Sequence, residues 1–334
     1  MKISVVIPVY NAERHVRKTL DSVSAQTYFD WECVCVDDGS TDGSGAILDE
    51  YAARDSRFRA IHQKNGGEGA ARNAGMTAAG GDLIAFLDAD DRMHPEALRT
   101  FSSLWTKTNF DVLRYAAKSV LDSDEPFEPL DGEPACAKVD FAHCGESPFV
   151  FCSLGWSTVI TRELSRRLRW TNLKQGADMV FVMDCLLETK STFRTRAQLV
   201  NYYMDPGSIS RRISVGLLKG TCDYLPVMLE KADKLGVDPA MRDAGEALAR
   251  DMLLRRLPGS WKFIDDAAGR QAVESAFWST LQAMSARPSF CGTLTRAAIA
   301  LSARAGSLAL LRLLVVLPYR AARSMRKFGR ACDC

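Results

Sequence analysis

The chain has 334 residues, 47% of them hydrophobic and 25% charged, as expected of a globular protein with room for one large domain or two ordinary ones. A net charge of only +2 argues against a nucleic-acid partner. The charge is uneven, however: from residue 296 onward eight basic residues face one acid, a net +7 that leaves −5 for residues 1–295.

Ile3-Ser4-Val5-Val6-Ile7 reads as a strand stopped by Pro8. Asn11 is placed to cap a helix in which Val16, Leu20 and Val23 share one face. A second strand, Trp31 to Val36, ends in the polar turn Asp37-Asp38-Gly39-Ser40-Thr41-Asp42, which supplies a cap for the next helix. Phe58 to Ile61 is a short third strand. The loop Asn65-Gly66-Gly67-Glu68-Gly69 leads into a helix of small residues that carries Arg72 and Asn73. The run Leu83-Ile84-Ala85-Phe86-Leu87 then ends abruptly in Asp88-Ala89-Asp90-Asp91. Four to eight apolar residues of this kind read as a buried strand of a parallel sheet. Three acids crowded at its end repel one another, and either solvent or a divalent cation must relieve them. Carboxylate oxygens suit Mg²⁺ or Mn²⁺. Pro95 opens a helix with Leu98, Phe101, Leu104 and Trp105 facing inward, and Val112 to Tyr115 is a further strand.

Strands alternating with helices over residues 1–115 mean βαβ units, an α/β class with a mostly parallel Rossmann-like sheet flanked by helices. The polar residues after strands one, two and four then share one sheet edge, where ligands of such sheets bind. Residues 122–148 lose periodicity and read as a loop or insertion. Helical patterning returns at 161–168. Asp178 opens a helix running through Val180, Phe181 and Leu186, where a carboxylate is electrostatically favoured. Phe193 to Met204 reads as a strand, followed by a turn-like loop with the adjacent cations Arg211 and Arg212. Residues 214–290 are helical in pattern. The apolar run Leu308–Pro318, interrupted by Arg312 and followed by a basic tail, is too short to span a bilayer and reads as an interfacial anchor on an anionic membrane face.

Ten cysteines in a long chain whose Met1-Lys2-Ile3-Ser4 start leads straight into a strand point to a reducing, cytoplasmic setting. Cys33 and Cys35 read as small buried hydrophobes, and Cys136, Cys144 and Cys152 are too loosely spaced for a zinc knuckle. A dinucleotide oxidoreductase wants Gly-x-Gly-x-x-Gly after strand one, where this chain has Pro8-Val9-Tyr10-Asn11. A nucleotidyltransferase wants a Gly-rich basic loop there, which is also missing.

Four motifs in order resemble the nucleotide-sugar domain of the family 2 glycosyltransferases: Val5–Glu13, Val36–Asp42, Asn65-Gly66-Gly67 to Ala71–Gly75, and Phe86–Asp91. The match is firm over the first third and looser at Gly155-Trp156-Ser157, Asp178 and Gly207–Arg211. The resemblance implies a GT-A fold over residues 1–212, with a nucleotide-sugar half at 1–115 and an acceptor half at 116–212. A helical extension at 213–295 and the apolar, basic segment 296–334 follow. It implies a metal-dependent, inverting transferase that moves a sugar from a nucleotide diphosphate sugar, a UDP-sugar, to a saccharide or lipid-linked acceptor of cell-surface glycan, peripheral on the cytoplasmic face of the inner membrane. By the same resemblance Pro8, Val9, Tyr10, Glu13, Asp38, Arg72, Asn73 and Asp88 line the nucleotide pocket. Asp90 and Asp88 hold Mn²⁺ or Mg²⁺, Asp91 neighbours the donor sugar, Asp178 is the catalytic base, and Arg211 or Arg212 reaches the leaving diphosphate. One departure stands out: the family often has Glu-Asp where this chain has Ala177-Asp178, so a supporting acid is absent. The alternative is a membrane-associated partner that keeps the fold and transfers nothing.

Overall fold

A computed structural model describes residues 1–139, 152, 156–173, 175–204, 215–236 and 267–285. The chain divides into two compact units. The first comprises Met1–Cys144, Cys152–Leu173 and Ala177–Ser208, and the second Gly145–Phe151, Lys174–Gly176 and Ile209–Cys334.

The first unit is built on one sheet. Its strands are β1 (Ile3–Val9), β2 (Trp31–Asp37), β3 (Phe58–His62), β4 (Leu83–Phe86), β5 (Arg92–Met93), β6 (Val112–Val120), β7 (Cys136–Lys138), β8 (Thr158–Thr161) and β9 (Thr192–Tyr203). They lie in the order β3-β2-β1-β4-β8-β6-β9-β5, with β7 paired to β9. Helices α1 (Val16–Ser24), α2 (Ser44–Arg54), α3 (Glu68–Ala78), α4 (Ala97–Thr108), α5 (Arg162–Ser165) and α6 (Ala177–Glu188) belong to the same unit. β1 is apolar on both faces and fully buried at Ile3, Val5, Val6 and Ile7, as a central parallel strand must be. Val16, Leu20 and Val23 of α1 are equally buried, which bears out the one-faced pattern. The backbone of α3 approaches β1 closely because Gly75 has no Cβ; one placed there would lie 2.3 Å from Val6 Cγ1.

β1, β2, β3 and β4 pair in parallel as expected, so their carboxyl ends share one edge. Beyond β4 the sheet is mixed rather than mostly parallel. β8 pairs antiparallel with both β4 and β6, and β6 pairs parallel with β9. The four β-branched residues Thr158-Val159-Ile160-Thr161 carry the signal for β8, a strand absent from the pattern reading. β7 forms inside the segment expected to be loop. Helix α5 is one turn, shorter than 161–168.

Pro8 does not stop β1. Val9 O accepts from Asp38 N on the β2 side, and Val6 O accepts from Leu87 N on the β4 side. Pro8 therefore faces as Val6 does, toward β4, which has already ended at Phe86, and its missing N–H costs no ladder bond. Asn11 does not cap α1 either. It holds φ +49°, and its Oδ1 accepts from Thr41 N at 2.8 Å, tying the loop after β1 to the loop after β2.

In the second unit, α7 (Val215–Leu235) packs on α8 (Ala267–Ser285). Leu225, Met228 and Leu229 are buried on α7, and Val273, Phe277 and Leu281 on α8. Thr280 Oγ1 donates to Cys222 O at 3.1 Å across the pair. Among the described residues no helix is long and apolar enough to cross a membrane. The segment 296–334 lies outside the described residues.

Candidate functional site

The carboxyl edge of β1, β2 and β3 gathers three loops that hold one another. Asn11 N donates to Ser40 Oγ at 3.0 Å, Ala12 N to Ser44 Oγ at 2.8 Å, and Gly43 N to Glu13 Oε2 at 3.0 Å. Asp38 is buried, and its carboxylate gathers the glycine-rich loop. Oδ1 accepts from Gln63 Nε2 at 2.6 Å and Gly66 N at 2.9 Å, and Oδ2 from Gly67 N at 2.8 Å. Gly67, at φ +90°, turns that loop into α3. Against these engaged groups Tyr10 stands out: it follows β1 directly and leaves 49% of its surface open.

Arg72, on the second turn of α3, is only 2% exposed. Its Nη2 donates to Asp88 Oδ1 at 2.6 Å and to Glu68 Oε1 at 2.5 Å, and its Nε is buried with no partner. Burial alone would lower its pKa, but the carboxylates of Glu68, Asp88 and Asp178 outweigh it and raise it. Asp88 moves the other way. Burial first, and then Glu68 and Asp90, push its carboxyl up to about 7 despite the Arg72 guanidinium. Asp91 is fully buried and raised well above the usual carboxylate range by burial, Asp88 and Asp90. Its Oδ1 accepts from Tyr203 N at 2.9 Å, and its Oδ2 has no partner.

Glu68, Asp88, Asp90 and Asp91 thus crowd a site with one buried guanidinium among them, a charge imbalance that a cation would relieve. Among the described residues no three His, Cys, Asp or Glu side chains form a complete metal cage. Mg²⁺ is usually held by one or two carboxylates completed by substrate phosphates, and the oxygen donors here fit that pattern.

Asp178 lies in the first turn of α6, and its charge bears on both Arg72 and Arg114. Arg114, on β6 beside a register shift against β9, is buried, and its Nη1 donates to Thr158 Oγ1 at 2.6 Å. Burial pulls its pKa below the usual arginine value, opposed by Cys152, Tyr115 and Asp178. Asn73 is committed elsewhere: its Oδ1 accepts from Trp170 N at 2.8 Å and its Nδ2 donates to Trp170 O at 2.9 Å.

The edge therefore brings together Pro8, Val9, Tyr10, Glu13, Asp38, Arg72, Asn73, Asp88, Asp90 and Asp91, with Asp178 in electrostatic reach of Arg72. Arg211 and Arg212 lie outside the described residues. Arg114 and Trp170 are the residues that pattern reading missed. Arg114 sits in a run otherwise read as plain strand, and Trp170 follows a basic stretch with no periodic signal.

Residues 4–155 match glycosyl transferase family 2. The match covers a little under half of the chain. Among similar proteins, this chain is 41% identical over 131 residues to the putative glycosyltransferase EpsH of Bacillus subtilis, covering 36% of this chain and 37% of that one. It is 46% identical over 220 residues to the glycosyltransferase GlyA of Streptococcus pneumoniae, covering 63% of this chain and 32% of GlyA. The chain thus spans only about a third of the length of these two relatives. The fold is that of S. aureus TarS crystallised with UDP-GlcNAc, at TM-score 0.70 and 22% identity over 96% of this chain and 92% of that one. This is the GT-A arrangement.

Proposed function

We propose that the protein transfers a sugar from a UDP-sugar to a hydroxyl of a saccharide or lipid-linked saccharide acceptor in cell-surface glycan synthesis, inverting the anomeric centre. The observation that carries this is the Arg72–Asp88 pair at the carboxyl edge with the charge of Asp178 within reach of the same guanidinium. The UDP-GlcNAc bound to the TarS neighbour supports the choice of donor.

On this reading Pro8, Val9 and the open ring of Tyr10 meet the uracil and ribose, an apolar surface suited to a flat base. Glu13, Asp38 and Asn73 shape that pocket by holding its loops. The unpartnered Arg72 Nε is a donor for the diphosphate side, to which Arg211 or Arg212 would add charge. Asp90 and Asp88 would hold Mn²⁺ or Mg²⁺, which when bound neutralises charge on the departing diphosphate. Asp91 neighbours the sugar, with one oxygen pinned by Tyr203 N. Asp178 takes the proton of the acceptor hydroxyl as its oxygen bonds to the anomeric carbon. The bond to the diphosphate oxygen breaks on the opposite face, so configuration inverts.

The test is UDP release from a panel of nucleotide sugars, with and without Mn²⁺, beside Asp90→Asn and Asp178→Asn. Metal-dependent release from one donor, lost in both variants, supports the reading, and a product that keeps the donor's configuration overturns the direct displacement. Full binding of nucleotide with no release, even with a membrane lipid extract as acceptor source, supports the non-catalytic partner instead. Residues 296–334 are read as an interfacial membrane anchor. Their deletion is expected to leave donor hydrolysis intact and abolish membrane pelleting; unchanged pelleting removes the anchor.

A further inference from the structure

Resting on the transferase reading, we propose that Trp170 is a positioning residue that couples the donor-side guanidinium of Arg72 to the helix that carries Asp178. The indole is 3% exposed and sandwiched. Phe181 stacks on it with centroids 3.9 Å apart and planes 8° off parallel, and Arg72 Cζ lies 4.4 Å from its ring centroid. Phe86 meets it edge-on at 5.0 Å, two residues before Asp88. Each neighbour leads to a different part of the site. Arg72 pairs with Asp88, Phe86 ends β4, and Phe181 lies one turn beyond Asp178 on α6.

The indole is also fixed from behind. Asn73 takes both its main-chain N–H and its C=O, at 2.8 and 2.9 Å. The next residue rides on the start of α3, where a Cβ added to Gly69 would lie 2.3 Å from Thr171 O. A tryptophan that only filled the core would need neither a guanidinium on one face nor a side-chain clasp on its main chain. Its Nε1–H is buried without a partner, so a hydrogen bond does not explain the choice of residue. What the flat, two-faced ring supplies is a rigid spacer between a cation and an aromatic ring, attractive on both sides. Any change in its thickness shifts α6 against α3. A misplacement of about 1 Å at a reacting group can cost roughly a hundredfold in rate.

Steady-state transfer by wild type, Trp170→Leu, Trp170→Phe, Gly69→Ala and Asp178→Asn, each checked for folding by circular dichroism, tests this. The expected result is a kcat at least about tenfold lower for Trp170→Leu with donor KM within about twofold, since only placement in the transition state is lost. Trp170→Phe keeps a ring against Phe181 and recovers most of the rate. Gly69→Ala touches no proposed catalytic side chain but displaces the 170–172 segment, and it lowers kcat in the same way. If Trp170→Leu does not fold, Gly69→Ala and Trp170→Phe carry the test. A lower melting temperature with wild-type kcat in Trp170→Leu or Gly69→Ala overturns the positioning role while Asp178→Asn remains dead. Turnover retained by Asp178→Asn overturns the base assignment and this inference with it.

Discussion

Asp38→Asn is the substitution whose cost can be worked out from the geometry. The carboxylate is 2% exposed and takes three donors: Gln63 Nε2 and Gly66 N on one oxygen, Gly67 N on the other. Asparagine keeps the shape but has one acceptor. Oriented to keep the two bonds at Oδ1, it turns an NH₂ toward the Gly67 N–H, leaving a buried donor unmet at roughly 1–3 kcal/mol. The two bonds that survive lose their charge assistance, which roughly halves them. The expected loss is about 2–4 kcal/mol, allowing for non-additivity. Because the same bonds hold the loop that enters α3, UDP affinity should fall together with stability. Denaturant titration measures the stability and calorimetry with UDP the affinity. Gln63→Ala, which removes a single neutral donor, should cost about 1 kcal/mol. If Asp38→Asn keeps wild-type stability and loses only UDP binding, the loop-anchoring argument is wrong and Asp38 acts by contact alone.

Gly75→Ala should destabilise although alanine favours helices. Its Cβ would lie 2.3 Å from Val6 Cγ1, and Val6 is fully buried in a central strand with a stiff β-branched side chain. Overpacking of about 1–3 kcal/mol exceeds the roughly 1 kcal/mol gained in propensity, and Val6→Ala should rescue the variant in a double-mutant cycle. A more stable Gly75→Ala would refute the close packing. His62 bonds Asp37 and Asp49 at 2.9 and 3.0 Å, and these bonds raise its pKa above 6.5. Its contribution to stability is therefore fully present below about pH 6.5 and is lost as pH rises through the raised folded value. The stability gap between wild type and His62→Gln should close with rising pH; a gap that widens contradicts the ion pairs.

The residue pattern alone carries the first four strands, the helices between them and the placing of their polar ends on one edge. Those features are local: unbroken apolar runs bury on both faces, and Asp or Gly residues end them. It also determined that Asp88, Asp90 and Asp91 crowd together, since they lie within four positions. Tertiary structure decided which polar groups are available. Asp38 and Asn73 are the same residue types in any loop or helix, and only their partners, Gln63 to Gly67 and the main chain of Trp170, show that they hold the site together. Direction along the sheet was likewise decided in three dimensions. The antiparallel β8 slips between β4 and β6, pairings made by residues more than forty positions apart in sequence. Arg114 and Trp170 were illegible for the same reason: a guanidinium beside Thr158 and an indole between Arg72 and Phe181 are juxtapositions that the folded chain alone creates.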